Sequence, residues 1–324
     1  MSLALLHPEM SYERFLDEWI KEKRKEVVKS TLARYENRID VHIKNQIGDF
    51  AIEEIDKDVL QDFVDELEKK IPNQTSTIKD VFIVIRSSLE RAKEVGIIPE
   101  NPAEEVSVPK EKKQGEMVLW NKKQIKTYLD ALYEHPSYLA MYLVLKEGLQ
   151  QGEALGLQWE NVSFHYKLAK IVKILSHDGK ELMDKTEDHK RSSKVRKMKF
   201  SSETMAELKK RLKAQEESKI DNPLDLVVMT SNGTPIAPKN LLRVHYRYCE
   251  QLGLPRTSFV ELRHSYALAS IKRGMNPLKL TEKLGFNDMR YLKTYENYLT
   301  AKEKEKINEL SRSNYGRSIF VENA

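Results

Sequence analysis

EGLQQGEALGLQWENV, residues 147–162, stands where the pattern of the chain changes. Upstream, Ile125, Leu129 and Leu132 recur at helical spacing, and Leu139–Leu145 marks a second helix. Downstream the period falls to two, through Ile171, Lys173 and Ile174, then Val195, Arg196, Met198 and Phe200, with a turn signal at Asp178-Gly179. Helical patterning returns at Thr204–Leu212 and continues from Lys239. A short strand is expected at Leu226–Thr230, before a Ser231-Asn232-Gly233 turn. Two more stretches fall in the last helical region: TSFVELRHSYALAS (257–270) and LGFNDMRYLKTYENYL (284–299). Residues 118–324 are therefore predicted to be mainly helical, with a small, basic antiparallel sheet inserted.

Toward the N-terminus, Pro109-Lys110-Glu111-Lys112-Lys113-Gln114-Gly115 is polar, lacks an apolar period and reads as a linker, set at 110–117. Residues 1–109 read as a helical bundle. Phe15, Leu16 and Trp19 form one stripe. Ser30 or Thr31 can cap a second helix carrying Leu32, Tyr35, Ile39 and Ile43, and Asp56 a third carrying Val59, Leu60, Phe63, Val64 and Leu67. Pro72-Asn73-Gln74-Thr75-Ser76 breaks the chain before a fourth helix with Ile78, Val81, Phe82, Ile85 and Leu89. Gly96 stops that helix, and Pro99 and Pro102 prevent its resumption.

Composition narrows the function. The single cysteine, Cys249, excludes a disulfide framework and a cysteine metal cage. Apolar runs such as Val81–Ile85 are too short to span a bilayer, and MSLALLHPEM lacks the charged lead of a signal peptide, so a cytoplasmic protein without membrane attachment is expected. No HExxH, CxxC, GxSxG or Gly-rich phosphate loop occurs, which leaves no metal or cofactor site to predict. Charge is unevenly spread. The net charge is +5, but residues 1–109 carry 16 basic and 23 acidic side chains, whereas 167–199 carry 11 and 5. Within the bundle, residues 20–45 hold eight basic side chains against four acids, and 46–68 nine acids against Lys57. Such sorting suits a polyanion, nucleic acid foremost; a solvated charged face is the other reading.

The three quoted stretches, in that order and spacing, resemble the tyrosine recombinases of the phage-integrase family. The first is similar to that family's TGLR-x-SE-x-L-x-L-x-W-x-D-I, the second to its H-D-LRH-T, and the third to its LGH segment that ends in a tyrosine. LVVMTSNGTPI, STLARY, IGDF, IDKDVLQDFV and IPENPAEEVSVPK extend the likeness over nearly the whole chain. The resemblance implies a helical SAM-like core-binding domain (1–109) and a mainly helical catalytic-type domain with a small antiparallel sheet (118–324). It implies double-stranded DNA as partner, with a monomer free in solution and a dimer or tetramer on DNA. In that family a tyrosine attacks the scissile phosphate to give a 3′-phosphotyrosyl link. Two arginines grip the phosphate, a hairpin lysine serves as acid, and no metal is needed because guanidinium groups neutralise the charge.

Carried over residue by residue, the nucleophile falls on Tyr295, with Tyr298 the near alternative. The second arginine is Arg263, and His264 takes a supporting part. The hairpin lysine is Lys190, six residues before Arg196, with Lys185 of Lys185-Thr186 as competitor. Lys185, Arg191, Lys194 and Arg196 are the expected contacts to the DNA backbone. Three positions depart from the pattern: Gln150 replaces the first arginine, Val260 the histidine of H-x-x-R, and Phe286 the LGH histidine. None brings a positive charge. Lys146 and Arg256 are the conceivable stand-ins. The sequence thus leaves three readings: a recombinase with impaired cleavage, an inactive DNA-binding homologue that regulates or assembles, and a helical protein–protein scaffold.

Overall fold

The computed structural model describes residues 7–110, 116–185, 195–286, 288–315 and 319. The chain divides into two compact units, Met1–Gly115 and Glu116–Ala324.

In the first unit, α1 (Tyr12–Glu26) and α2 (Lys29–Arg38) are followed by a π-helical turn at Ile39–Ile43 and a short α3 (Lys44–Ile47). Then come α4 (Lys57–Lys70) and the long α5 (Thr75–Glu94). Phe15, Leu16 and Trp19 bury one stripe of α1 against Ile43, Leu60, Val81 and Ile85, as the spacing predicts, and Tyr12 joins them. Asp56 caps α4 by accepting from the Val59 N–H at 2.9 Å, which satisfies one orphan donor of the first turn. The second helix departs from expectation. It begins at Lys29, preceded by Val28 in extended conformation with no side-chain cap. The charge sorting also changes meaning, because many of the bases are neutralised at short range: Lys44 meets Asp17 at 2.9 Å and Arg24 meets Glu36 at 3.1 Å.

The second unit opens with α6 (Lys122–Leu132), α7 (Tyr138–Glu147) and α8 (Gln151–Leu155), and α7 is buried on nearly every side. Strands β1 (Val162–Ser163) and β2 (Leu168–Ile171) follow, then β3 (Lys173–Leu175), β4 (Leu182–Asp184) and β5 (Arg196–Lys199). They make two antiparallel sheets, of order β1-β2-β5 and β3-β4. Ile171 pairs with Arg196 and Ala169 with Met198, whereas Leu175 pairs with Leu182. The alternation read as one strand is therefore shared: the chain changes sheets at Val172. At Leu226 the expected strand reduces to an isolated bridge with Gln158. Helices α9 (Ser202–Ser218), α10 (Pro238–Gln251), α11 (Phe259–Lys272) and α12 (Pro277–Leu284) complete the layer. A 3₁₀ segment (Met289–Tyr298) then leads to α13 (Ala301–Tyr315). Ile307 and Ile319 are buried in the same cluster as Leu280, Leu292 and Tyr295, so this part of the tail packs within its own unit. Ser258 caps α11 through a reciprocal pair with Glu261.

Candidate active site

Helix α7 ends at Gly148, whose φ of +74° is a left-handed conformation that a side chain would strain. A Cβ there would also lie 2.5 Å from the Tyr266 ring. The turn aims the Gly148 carbonyl at α11, where it accepts from the Arg263 guanidinium at 2.7 Å. The Leu284 carbonyl at the end of α12 takes a second N–H. Two helix C-termini thus fix the guanidinium through backbone alone. Those two contacts leave a five-donor group with N–H bonds for an anion.

Next to it lies Glu153 of α8, fully buried and surrounded by cations. Its carboxylate binds both Arg196 guanidinium nitrogens at 2.6 and 2.8 Å, a two-pronged pairing. It accepts from the Lys185 ammonium and from the Gln150 backbone N–H at 2.9 Å, and Arg263 is 3.8 Å away. Burial alone would raise this carboxyl, but Arg196, Lys185 and Arg263 hold it well below the usual range. Burial pushes the Lys185 ammonium down, against the pull of Glu153. Three cations against one carboxylate leave the pocket attractive to a further anion.

These positions amend the sequence reading. Lys185 and Arg196, expected at the DNA backbone, have side chains only 3% and 8% exposed. Both are drawn inward by a carboxylate that would otherwise be buried alone. Of the two hairpin lysines, Lys185 lies in the cluster; Lys190 falls outside the described residues, as do Arg191 and Lys194. Lys146 pairs with Glu203, and Arg256 stacks on the Tyr246 ring, contacts away from the cluster.

Tyr295 is fully buried, and its hydroxyl lies 2.7 Å from Nδ1 of His264. Burial raises the phenol far above its ordinary value. Tyr298 is turned elsewhere and donates to the Met117 carbonyl at 3.3 Å. Of the departing positions, Gln150 is exposed at the start of α8 and Val260 is 61% exposed on α11. Phe286 stacks on Tyr291 with ring centroids 3.6 Å apart and lies 5.2 Å from the Arg263 guanidinium. Arg263, His264 and Tyr295 are thus brought together, whereas Val260 faces solvent.

Sequence reasoning did not single out Glu153, Tyr291 or the Glu147–Lys283 pair (2.6 Å). Glu153 carried a signal: it stands three residues after Gln150 at a helix start, the spacing of a residue that reaches back to the first N–H. Among the described residues there is no cluster of three metal-ligating side chains, and no helix is long and apolar enough to cross a membrane.

Residues 120–302 match the phage integrase family, and residues 11–68 the N-terminal SAM-like domain of phage integrases. A tyrosine recombinase XerC-like protein of Caldanaerobacter subterraneus subsp. tengcongensis is 26% identical over 307 residues, 87% of this chain and 78% of that protein. Among solved structures, the Tn1549 transposon integrase in complex with a circular intermediate DNA superposes with a TM-score of 0.76 at 18% identity. That match covers 94% of this chain and 99% of that one. A lambda integrase dimer bound to a COC′ core site gives 0.66 at 15% identity, covering 94% and 79%.

Proposed function

The chain belongs to the phage integrase family, and on that premise we propose that it binds duplex DNA and cleaves it weakly through Tyr295, in site-specific recombination. The observation that carries this reading is the Arg263–His264 pair. One residue is a guanidinium held by two carbonyls beside a cation-rich pocket; the next holds the hydroxyl of the tyrosine. A phosphate seated on Arg263 meets a nucleophile controlled from the same helix.

Lys185 is the acid of this reading. Burial lowers its pKa, which makes it a readier proton donor to the leaving 5′ oxygen. Attack forms the bond from the Tyr295 oxygen to phosphorus and breaks the bond to that oxygen, leaving a phosphodiester that a later 5′-hydroxyl can reverse without ATP. Cleavage is weak because Gln150 and Val260 bring no charge to the pentavalent phosphate and Phe286 no proton. One preorganised donor is typically worth about 10²–10³ in rate. Assembly as a dimer or tetramer on DNA, from a monomer in solution, belongs to the same proposal. Both the Tn1549 and lambda integrase neighbours were solved on DNA, the latter as a dimer.

An inactive DNA-binding homologue is the second reading, favoured by the complete burial of Tyr295. A scaffold without DNA is disfavoured by the basic excess of the region after residue 109. Incubation with nicked suicide duplexes, followed by denaturing electrophoresis, separates these. A small adduct yield that disappears in Tyr295→Phe supports the first reading. Binding without adduct supports the second, and no binding at low salt the scaffold.

A further inference from the structure

We propose that His264 is the proton acceptor for the Tyr295 hydroxyl, with Tyr291 relaying the proton outward. This deepens the reading of Tyr295 as nucleophile and rests on it.

The three groups form a chain. Tyr295 Oη lies 2.7 Å from Nδ1, and the other ring nitrogen, Nε2, lies 3.4 Å from Tyr291 Oη. The relay uses the tautomer in which Nδ1 accepts from the Tyr295 hydroxyl and the imidazole hydrogen sits on Nε2, the nitrogen beside Tyr291; both contacts accommodate it. Tyr291 stacks on the imidazole with rings 13° apart, and Tyr295 meets it edge-on at 70°. The ring is thereby held from both sides. Tyr295 has no exposed surface, whereas Tyr291 is half-buried and offers the way out.

Among the described residues no rival acceptor is in place: His264 is the only hydrogen-bond partner of the Tyr295 hydroxyl. Val260 faces solvent, and Phe286 carries no acceptor atom. The charged groups acting on His264 are Arg263 and Glu261 of its own helix, and Tyr291 and Tyr295 face it from the packed 3₁₀ segment. Burial first, then Arg263, keeps the imidazole neutral against the opposing pull of Glu261. Neutral imidazole is the form that accepts a proton.

In the step itself, the Tyr295 O–H bond breaks and its proton passes to Nδ1. The freed electron pair forms the bond to phosphorus, and the bond to the 5′ oxygen breaks with its pair on that oxygen, which takes a proton from Lys185. The imidazolium returns to neutrality by passing its Nε2 proton to Tyr291, whose own proton goes to water. Tyr295 must be uncovered for this. The uncovering has to leave the Tyr295–His264 contact in place, since Tyr291 and Tyr295 both lie on the 3₁₀ segment Met289–Tyr298.

The test uses the full chain and a pool of short nicked duplexes with randomised core sequence, each carrying a bridging 5′ sulfur. Sulfur leaves without an acid, so adduct rate reads the attack step. His264→Gln is expected to keep duplex binding, lose about 10²-fold or more in adduct rate, and lose the acidic limb of the pH profile that the parent shows. Added imidazole should restore part of the rate in His264→Ala, and Tyr291→Phe should lose severalfold. A His264→Gln rate within twofold of the parent overturns the inference and leaves Tyr295 as nucleophile. An equal loss at every pH without imidazole rescue shows a merely structural histidine and overturns it too. Absence of adduct from the parent at every pH overturns the cleavage reading as well. Should the His264 variants fail to fold, nitrogen-15 spectra of the parent decide: a hydrogen on Nδ1 rather than Nε2 at neutral pH refutes the relay.

Discussion

Arg196→Ala separates a surface contact from an internal one. The side chain is 8% exposed and grips a carboxylate of zero exposure through two nitrogens, while its Nε donates to the Lys283 carbonyl at 2.8 Å. Removing one partner of a buried pair typically costs about 3–5 kcal/mol. Here Lys185 and the Gln150 N–H still serve Glu153, which sets the expectation at the lower end, about 3 kcal/mol. For a unit of this size each kcal/mol lowers the melting temperature by about 2–4 °C, so the calorimetric transition should fall by roughly 6–12 °C. Arg196→Lys should fall by less, since one prong survives. A double-mutant cycle with Glu153→Gln should give a coupling of about 2 kcal/mol or more. By contrast, the triple change Lys190→Ala, Arg191→Ala and Lys194→Ala should flatten the salt dependence of duplex binding, by about 0.9 in slope for each phosphate no longer neutralised. An Arg196→Ala protein that melts within 2 °C of the parent, and has the flattened salt slope instead, would refute the reasoning and return Arg196 to the DNA backbone.

Other tests bear on separate parts of the molecule. His245 is fully buried, hydrogen-bonded to Tyr128 and Thr257, and pushed down by burial to about 4. The unfolded chain therefore binds a proton between pH 6.5 and 4 that the folded one does not, and stability should fall by roughly 3 kcal/mol over that window; thermal melts of His245→Asn should lose this slope. Glu153 carries the opposite kind of group, an anion favoured by folding. Its contribution is complete above the ordinary carboxylate range and is lost as pH falls below it, so Glu153→Gln should be least penalised in acid, and a penalty independent of pH would contradict the assignment. Gly148→Ala should destabilise by about 2 kcal/mol or more from the left-handed backbone and the Tyr266 ring, and should weaken duplex binding by displacing Arg263; denaturant titration and a binding isotherm check the two effects. Finally, Gln150→Arg, Val260→His and Phe286→His together should raise adduct yield by far more than any single change, and the gain should vanish on adding Tyr295→Phe.

Much of the architecture is legible in the sequence because its signals are local. Asp56 announces a helix start by its own chemistry, and the apolar stripe of α1 needs only the 3.6-residue period. The failures are those of tertiary placement. Thr31 resembles a cap because its residue type favours one, yet packing of Tyr35 and Ile39 starts the helix three residues earlier, behind Val28. Ile171 to Ile174 reads as one strand because alternation carries no information about which partner a strand takes; the switch at Val172 depends on β4 and β5, which lie ten or more residues further on. In the site, Arg263 and Tyr295 are legible through their motifs. Arg196 is not, since a cation looks alike in sequence whether it faces a phosphate or an internal carboxylate. Glu153 decides the matter from 43 residues away.

The division of labour around Glu153 has a consequence for how such a site ages. Glu153, Arg196 and Arg263 are sealed inside, tied to one another and to backbone carbonyls, so losing any of them damages the fold whether or not a reaction is ever performed. Gln150 and Val260 lie at the surface, where a change of residue costs a folded chain almost nothing. Mutational drift released from any demand for cleavage would therefore erase the exposed positions first and spare the internal ones by the accident of their burial. In this chain the stability of the fold is by itself enough to account for the presence of Arg263 and Arg196, whatever reaction the protein performs.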